Sequence, residues 1–178
     1  MYLNIKRLVD KIVSFFLILI LFPLIILISL LIYLEDFESP FFISERIGFK
    51  GKIFKIFKFR TMVIDSHKYL DQYRMPKKNR CTRIGNFLRL FGLDELPQLI
   101  NIFKGEMSFI GPKPILPEYL KYFSKNQKIR FIIKPGITGL AQVNGRNEIL
   151  WSERVKFDIF YVKNVSLKLD LIINYSVM

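Results

Sequence analysis

The most apolar stretch of the chain is residues 12–33, IVSFFLILILFPLIILISLLIY, 22 positions without a charge. As one helix it would reach about 33 Å, enough to cross the hydrocarbon core of a bilayer. Pro23 stands at its centre, where it removes a backbone N–H and leaves the carbonyl of Leu19 without its usual donor. Lys6, Arg7 and Lys11 precede the run and no small-residue cleavage site follows it, so a removable signal peptide does not fit. Two arrangements stay open on these residues: a kinked helix that spans the membrane, or a helix–break–helix that dips in and returns. The second keeps the basic N-terminus and the basic remainder of the chain on one side.

Beyond the run the periodicity shortens. FFISERIGFKGKIFKIFKFRTM (41–62) is rich in β-branched and aromatic residues around a Gly48–Gly51 turn, the pattern of a hairpin. With 53–61 as its second strand, Lys58 and Arg60 share a face, as an edge guard or as a phosphate clamp. Residues 63–80 are polar and read as a loop with some helical character; they hold the single histidine, His67. Thr82 is placed to cap a helix over RIGNFLRLF, which carries Arg83 and Arg89. Leu96, Leu99, Ile100 and Phe103 then form the stripe of a helix that Gly105 ends. Pro97 is tolerated only in its first turn, and Asp94 and Glu95 open it. MSFIGPKPILP predicts an apolar turn and a proline-stiffened loop holding Lys113. EYLKYFSKNQKIRFII predicts a basic amphipathic helix at a membrane interface. KPGITGLAQVNGRN, with Gln142 and Arg146, reads as a glycine-rich loop.

Charge and composition narrow the chemistry. Lys and Arg number 28 against 15 Asp and Glu, a net charge of +13, while 51% of residues are hydrophobic. So apolar a basic chain suits an anionic lipid surface or phosphates better than nucleic acid. One cysteine and one histidine exclude an internal disulfide, a cysteine-rich zinc site and HExxH chemistry. No GxGxxG or GxxxxGK[ST] is present. What remains is an acidic pair in a basic neighbourhood: Lys58, Arg60, Arg83, Arg89, Lys113 and Arg146. An acidic pair in a helical first turn is explained by capping alone. Cations in the surrounding loops add a second reading: a diphosphate held by cations and a hard metal, with a carboxylate near phosphorus.

KFRTM (58–62), LDELPQLINIFKGEMSFIGPKP (93–114) and KPGITGLAQVNGRN (134–147) resemble the three signature stretches of the bacterial sugar transferases. These are the monotopic polyprenol-phosphate phosphoglycosyl transferases. KRLVD ahead of the broken apolar run and FDIFYVKNVSLKLDL (157–171) match as well, so the resemblance covers nearly the whole chain. It is nearest the minimal members, such as the undecaprenyl-phosphate di-N-acetylbacillosamine-1-phosphate transferases. Lys113 departs from the family's usual arginine in GPRP, keeping the charge but losing the bidentate fork. The chain ends at Met178, where relatives run on through another basic helix.

The resemblance implies an α+β fold, mostly helical: a re-entrant membrane helix kinked at Pro23 (1–34), then a membrane-associated catalytic domain (35–178) with interfacial amphipathic helices and a small β-hairpin or sheet. It implies transfer of a sugar 1-phosphate from a UDP-sugar to undecaprenyl phosphate with release of UMP, the first membrane step of capsule, O-antigen or glycoprotein glycan assembly. Asp94 would be the nucleophile and form a phosphosugar–aspartate, and Glu95 would hold Mg²⁺. Lys58, Arg89 and Lys113 would bind phosphate, with Arg60, Gln142 and Arg146 placed by motif membership. The partners implied are the UDP-sugar, the polyprenol phosphate and anionic lipids of the cytoplasmic leaflet of the bacterial inner membrane, with no nucleic acid. A homo-oligomer stays open.

Overall fold

In the computed structural model, which describes residues 1–66, 80–145 and 149–176, the apolar run lies within helix α1, Tyr2–Asp36. This helix passes through Pro23 as one element of 35 residues, about 52 Å long at the usual rise. Its most apolar 18-residue window is only 11% buried, which rules out the core helix of a soluble domain and suits a membrane. The chain forms two compact units, and α1 contributes Met1–Ile18 to the first and its remainder to the second. The division falls at Leu19, whose carbonyl Pro23 cannot serve.

Strands β1 (Phe41–Ile47) and β2 (Ile53–Phe59) pair as the expected hairpin. Lys50 and Gly51 turn the chain at φ +56° and +77°. The second strand ends at Phe59, two residues earlier than 61: the N–H of Arg60 still reaches the carbonyl of Pro40 at 2.8 Å, but Pro40 has no N–H to return. Arg60 lies past the strand end, and the two side chains bond to different acids, Lys58 to Glu95 and Arg60 to Asp36.

The second unit, 19–43 with 57–97, holds helix α2, Arg83–Leu90. Thr82 caps it as expected: its Oγ1 accepts the N–H of Gly85 at 2.9 Å. Gly85 lies so close to the strand end that a Cβ there would come 2.2 Å from the carbonyl oxygen of Thr61. Ile28 and Ile32 of α1, Phe59 and Leu88 form the buried core of this unit, with Leu93 and Leu96 packed against it.

The first unit, 1–18 with 44–56 and 98–176, contains helix α3 (Gln98–Lys104), strands β3 (Ser108–Ile110) and β4 (Gly136–Thr138), and helices α4 (Leu140–Val143), α5 (Trp151–Asn164) and α6 (Leu167–Tyr175). β3 and β4 are parallel, with Ser108 opposite Gly136 and Ile110 opposite Thr138. The apolar turn and glycine-rich loop read from sequence are thus a short sheet and a helix. Glycine explains the pairing: a Cβ on Gly136 would lie 2.1 Å from the amide nitrogen of Gly111. The expected interfacial helix is instead two 3-10 segments, Pro117–Tyr122 and Gln127–Ile132. Between them the Ser124 N–H donates to Gln127 Oε1 at 2.9 Å, a local bond that competes with helix propagation.

Two cores hold this unit: Ile47, Ile115, Phe123, Phe131 and Val155, and Ile110, Ile133, Tyr161, Val162 and Ile173. Buried charge is paired within them. Arg130 donates to Asp158 at 2.6 Å and to the carbonyl of Lys113 at 2.9 Å. Asp170 accepts from Tyr161 at 2.6 Å, from Lys6 at 2.7 Å and from Tyr2. Burial, more than these bonds, raises the Tyr161 and Tyr2 hydroxyls above their ordinary range.

Candidate functional site

Asp94 and Glu95 lie on a 3-10 turn, Leu93–Glu95, entered through Gly92 at φ +68°. The expected α-helical first turn is corrected here: α3 begins only at Gln98, after Pro97. Leu96 keeps helical angles, φ −52° and ψ −41°, but Pro97 has no N–H to donate, so the turn is not carried on as a regular ladder. The stripe is also narrower than the spacing indicated. Leu99 and Ile102 are buried with Gln98 and Asn101, whereas Ile100 and Phe103 are exposed.

Lys58, from the end of β2, places Nζ 2.6 Å from Glu95 Oε1. Arg89 stands in the last turn of α2, where the Thr61 hydroxyl accepts its Nε–H at 2.8 Å. Both cations act on Asp94, yet burial is stronger and raises its carboxyl above the ordinary aspartate range. Lys58 opposes the shift, Glu95 adds to it and Arg89 opposes it. The balance leaves the Asp94 carboxyl shifted upward, by burial first. The carboxylate is partly desolvated and more basic, and a more basic oxygen is a stronger nucleophile once ionised.

Arg60 is aimed elsewhere. Its guanidinium grips Asp36 bidentately, both bonds at 2.6 Å, and its Nε–H donates to the carbonyl of Ser39 at 2.7 Å. Glu35 accepts the N–H of Arg83 at 2.8 Å. The end of α1 is thereby tied to α2 and to the segment after β2. Sequence reasoning overlooked Asp36, Glu35 and Thr61; Thr61 was findable, because it sits inside KFRTM beside two cations.

In the first unit, Lys113 is exposed and its carbonyl holds Arg130. Gln142 of α4 donates to the carbonyl of Ile137 at 3.3 Å, and its Oε1 is buried without a partner among the described residues. Arg146 and His67 lie outside the described residues. Cys81 is half-buried and bridges Met62 through the backbone.

Among the described residues no group of three or more metal-ligating side chains gathers. Asp94 and Glu95 offer one or two carboxylates, the number magnesium takes when substrate phosphates complete its shell. The donor set fits that mode and not an all-protein cage.

A family profile described as "Bacterial sugar transferase" matches residues 1–177. The chain is 42% identical over 169 residues to the uncharacterized sugar transferase EpsL of Bacillus subtilis, covering 93% of this chain and 81% of that protein. It is 35% identical over 186 residues to the undecaprenyl-phosphate galactose phosphotransferase of Salmonella typhimurium, covering 96% of this chain and 39% of the relative. With the UDP-glucose:undecaprenyl-phosphate glucose-1-phosphate transferase of Xanthomonas campestris it shares 38% identity over 175 residues, 93% of this chain and 36% of the relative.

Proposed function

From the premise that this chain belongs to the bacterial sugar transferase family, matched over residues 1–177, we propose that it transfers a sugar 1-phosphate from a UDP-sugar to undecaprenyl phosphate. The site of action is the cytoplasmic face of the inner membrane, in the first membrane step of polysaccharide assembly. The relatives' names supply the lipid carrier and the class of reaction. The observation that carries the finer reading is the Asp94–Glu95 turn, with Lys58 bonded to Glu95 and both Lys58 and Arg89 acting on the Asp94 carboxyl through their charge.

In the first half-reaction a carboxylate oxygen of Asp94 attacks the β-phosphorus of the donor. The bond from that phosphorus to the bridging oxygen breaks, and UMP leaves with the electron pair. The sugar phosphate is then an acyl phosphate on Asp94. In the second half, an oxygen of the polyprenyl phosphate attacks the same phosphorus, the bond to Asp94 breaks and the carboxylate returns. Lys58 and Arg89 neutralise phosphate oxygens during both transfers. Magnesium, when bound, supplies charge neutralisation at the diphosphate and leaving group, with Glu95 as its holder. Binding of the donor requires Glu95 to exchange its bond with Lys58, which frees that ammonium group for phosphate. Lys113 is assigned to phosphate, and Gln142 and Arg146 to the donor, on their place in the signature stretches.

The helix entering with Pro23 is read as re-entrant, because the unserved Leu19 carbonyl gives α1 a weak point within its apolar run. Release of UMP from a panel of UDP-sugars, measured with and without undecaprenyl phosphate and divalent cation, tests the reaction. Multiple-turnover release that depends on all three is expected, with no more than one UMP per protein when the lipid is left out; no release from any donor would leave a lipid-binding module without turnover.

A further inference from the structure

One cluster of cations lies outside the residues assigned to the reaction above. Lys11 of α1 and Lys134, just ahead of β4, meet over Gly105 at the end of α3. A Cβ built on Gly105 would lie 3.3 Å from Lys134 Nζ and 3.8 Å from Lys11 Nζ, so both ammonium groups lie within 4 Å of one point. Arg7, one helical turn before Lys11, adds a third positive charge. Among the described residues none of the three makes an ion pair. Arg7 instead rests 5.2 Å from the ring centre of Phe49.

The compensation available is small. Burial and the like charges of Arg7 and Lys11 depress the Lys134 ammonium, with Asp10 opposing them. Asp10 is buried at 6% exposure, so it offsets Lys134 from the interior while Lys11 stays exposed. Glu106, the next acid along the chain, is bonded to Asn101 at 2.7 Å. The terminal carbonyls of α3 attract a cation by a few tenths of a kcal/mol to about 1 kcal/mol, which accounts for one ammonium group and not for three cations.

What borders the cluster points to the ligand. Phe15 lies one turn beyond Lys11 on α1, and Phe103 lies two residues before Gly105. Their rings pack at 5.8 Å while both remain exposed, at 43% and 46%. Cations followed directly by an exposed apolar pair make an amphiphilic surface. Such a surface suits a molecule with an anionic head and a hydrocarbon chain. Three cations against one buried acid leave an excess of about two charges, which matches a phosphate monoester better than the single charge of a phosphodiester.

We propose that Lys11 and Lys134, supported by Arg7, bind the phosphomonoester head of a prenyl phosphate, with its first chain units lying over Phe15 and Phe103. This rests on the reading that the acceptor is a polyprenyl phosphate. It is tested without a donor, so that failure of the binding site and failure of the reaction can be told apart.

The experiment is a calorimetric titration of the full chain in neutral detergent with three probes: a short-chain prenyl phosphate, a phosphodiester lipid of similar chain length, and inorganic phosphate. The wild type should bind the prenyl phosphate most tightly. Joint replacement Lys11→Gln and Lys134→Gln should weaken that probe by about tenfold or more, whereas the paired Lys→Arg replacements should retain it. Phe103→Ala should weaken the prenyl phosphate and leave inorganic phosphate unchanged. Should the double Gln variant fail to fold, the paired Arg and Phe103→Ala variants carry the test. Wild-type affinity in the double Gln variant, or an equal loss for the phosphodiester, would overturn the assignment. So would loss of prenyl phosphate binding in the paired Arg variant, or unchanged binding in Phe103→Ala.

Discussion

Nζ of Lys58 lies 2.6 Å from Oε1 of Glu95, so the first cation of KFRTM is bonded to the acid beside Asp94. The two partners push the Asp94 carboxyl in opposite directions: Lys58 lowers it and Glu95 raises it, against a larger upward shift from burial. The acid limb of kcat/KM against pH, which reports the free enzyme, should fall above the ordinary aspartate value of about 3.9. Lys58→Gln should move that limb to higher pH and Glu95→Gln should move it to lower pH, apart from any loss of rate. Shifts in the same direction would detach the limb from Asp94.

The Arg60–Asp36 pair should act on stability. Arg60 holds the Asp36 carboxyl below its ordinary range, through hydrogen bonding first. A depressed carboxyl contributes stability above its unfolded pKa and loses it as pH falls through the folded one. Asp36 is about a third exposed, at 31%, so Arg60→Ala should cost about 1 kcal/mol at neutral pH and less in acid. Denaturant melts of the two proteins across pH should converge below about pH 4.

Arg130 and Asp158 are a buried pair, with side chains 4% and 5% exposed. Arg130→Met leaves a buried carboxylate alone and should cost about 3–5 kcal/mol. Adding Asp158→Leu should recover most of that loss, short of the bond to the Lys113 carbonyl, worth about 1 kcal/mol. A double variant no more stable than the single would show that the pair carries more than its own charge balance.

The re-entrant reading of α1 predicts that cysteines at Asn4 and Glu38, in a Cys81→Ser background, both label from the cytoplasm. Pro23→Leu restores the donor for the Leu19 carbonyl and should turn the segment towards a full span, with the two tags on opposite sides. Opposite labelling already in the unaltered helix would contradict the reading.

The legible parts of the fold were those governed by local rules. Thr82 capped its helix, Gly48–Gly51 turned the hairpin and the apolar run was helical, because each depends on a few neighbouring residues. The parallel pairing of β3 with β4 was not legible: three-residue strands carry no periodicity, and their contact is set by glycine backbones about 25 residues apart in sequence. The helix expected over 118–133 failed because apolar spacing does not distinguish an α-helix from two 3-10 segments joined by a Ser124–Gln127 bond. At the site, the motif located Asp94, Glu95 and Lys58 but not the direction of Arg60, which Asp36 determines from 24 residues away. The upward shift at Asp94 was not legible either, because the cations of the motif say nothing of the desolvation that outweighs them.

The central claim is that Asp94 carries the sugar phosphate. Wild-type protein mixed with a UDP-sugar and no lipid acceptor, then quenched rapidly in acid and digested, should show one added sugar-phosphate mass on a peptide containing Asp94. Asp94→Asn keeps the size and most of the turn, so it should fold, release almost no UMP and carry no added mass. Substantial turnover by Asp94→Asn, or a full yield of product with no modified Asp94 peptide on the millisecond-to-second path to it, would contradict the covalent route and leave a direct transfer in one complex.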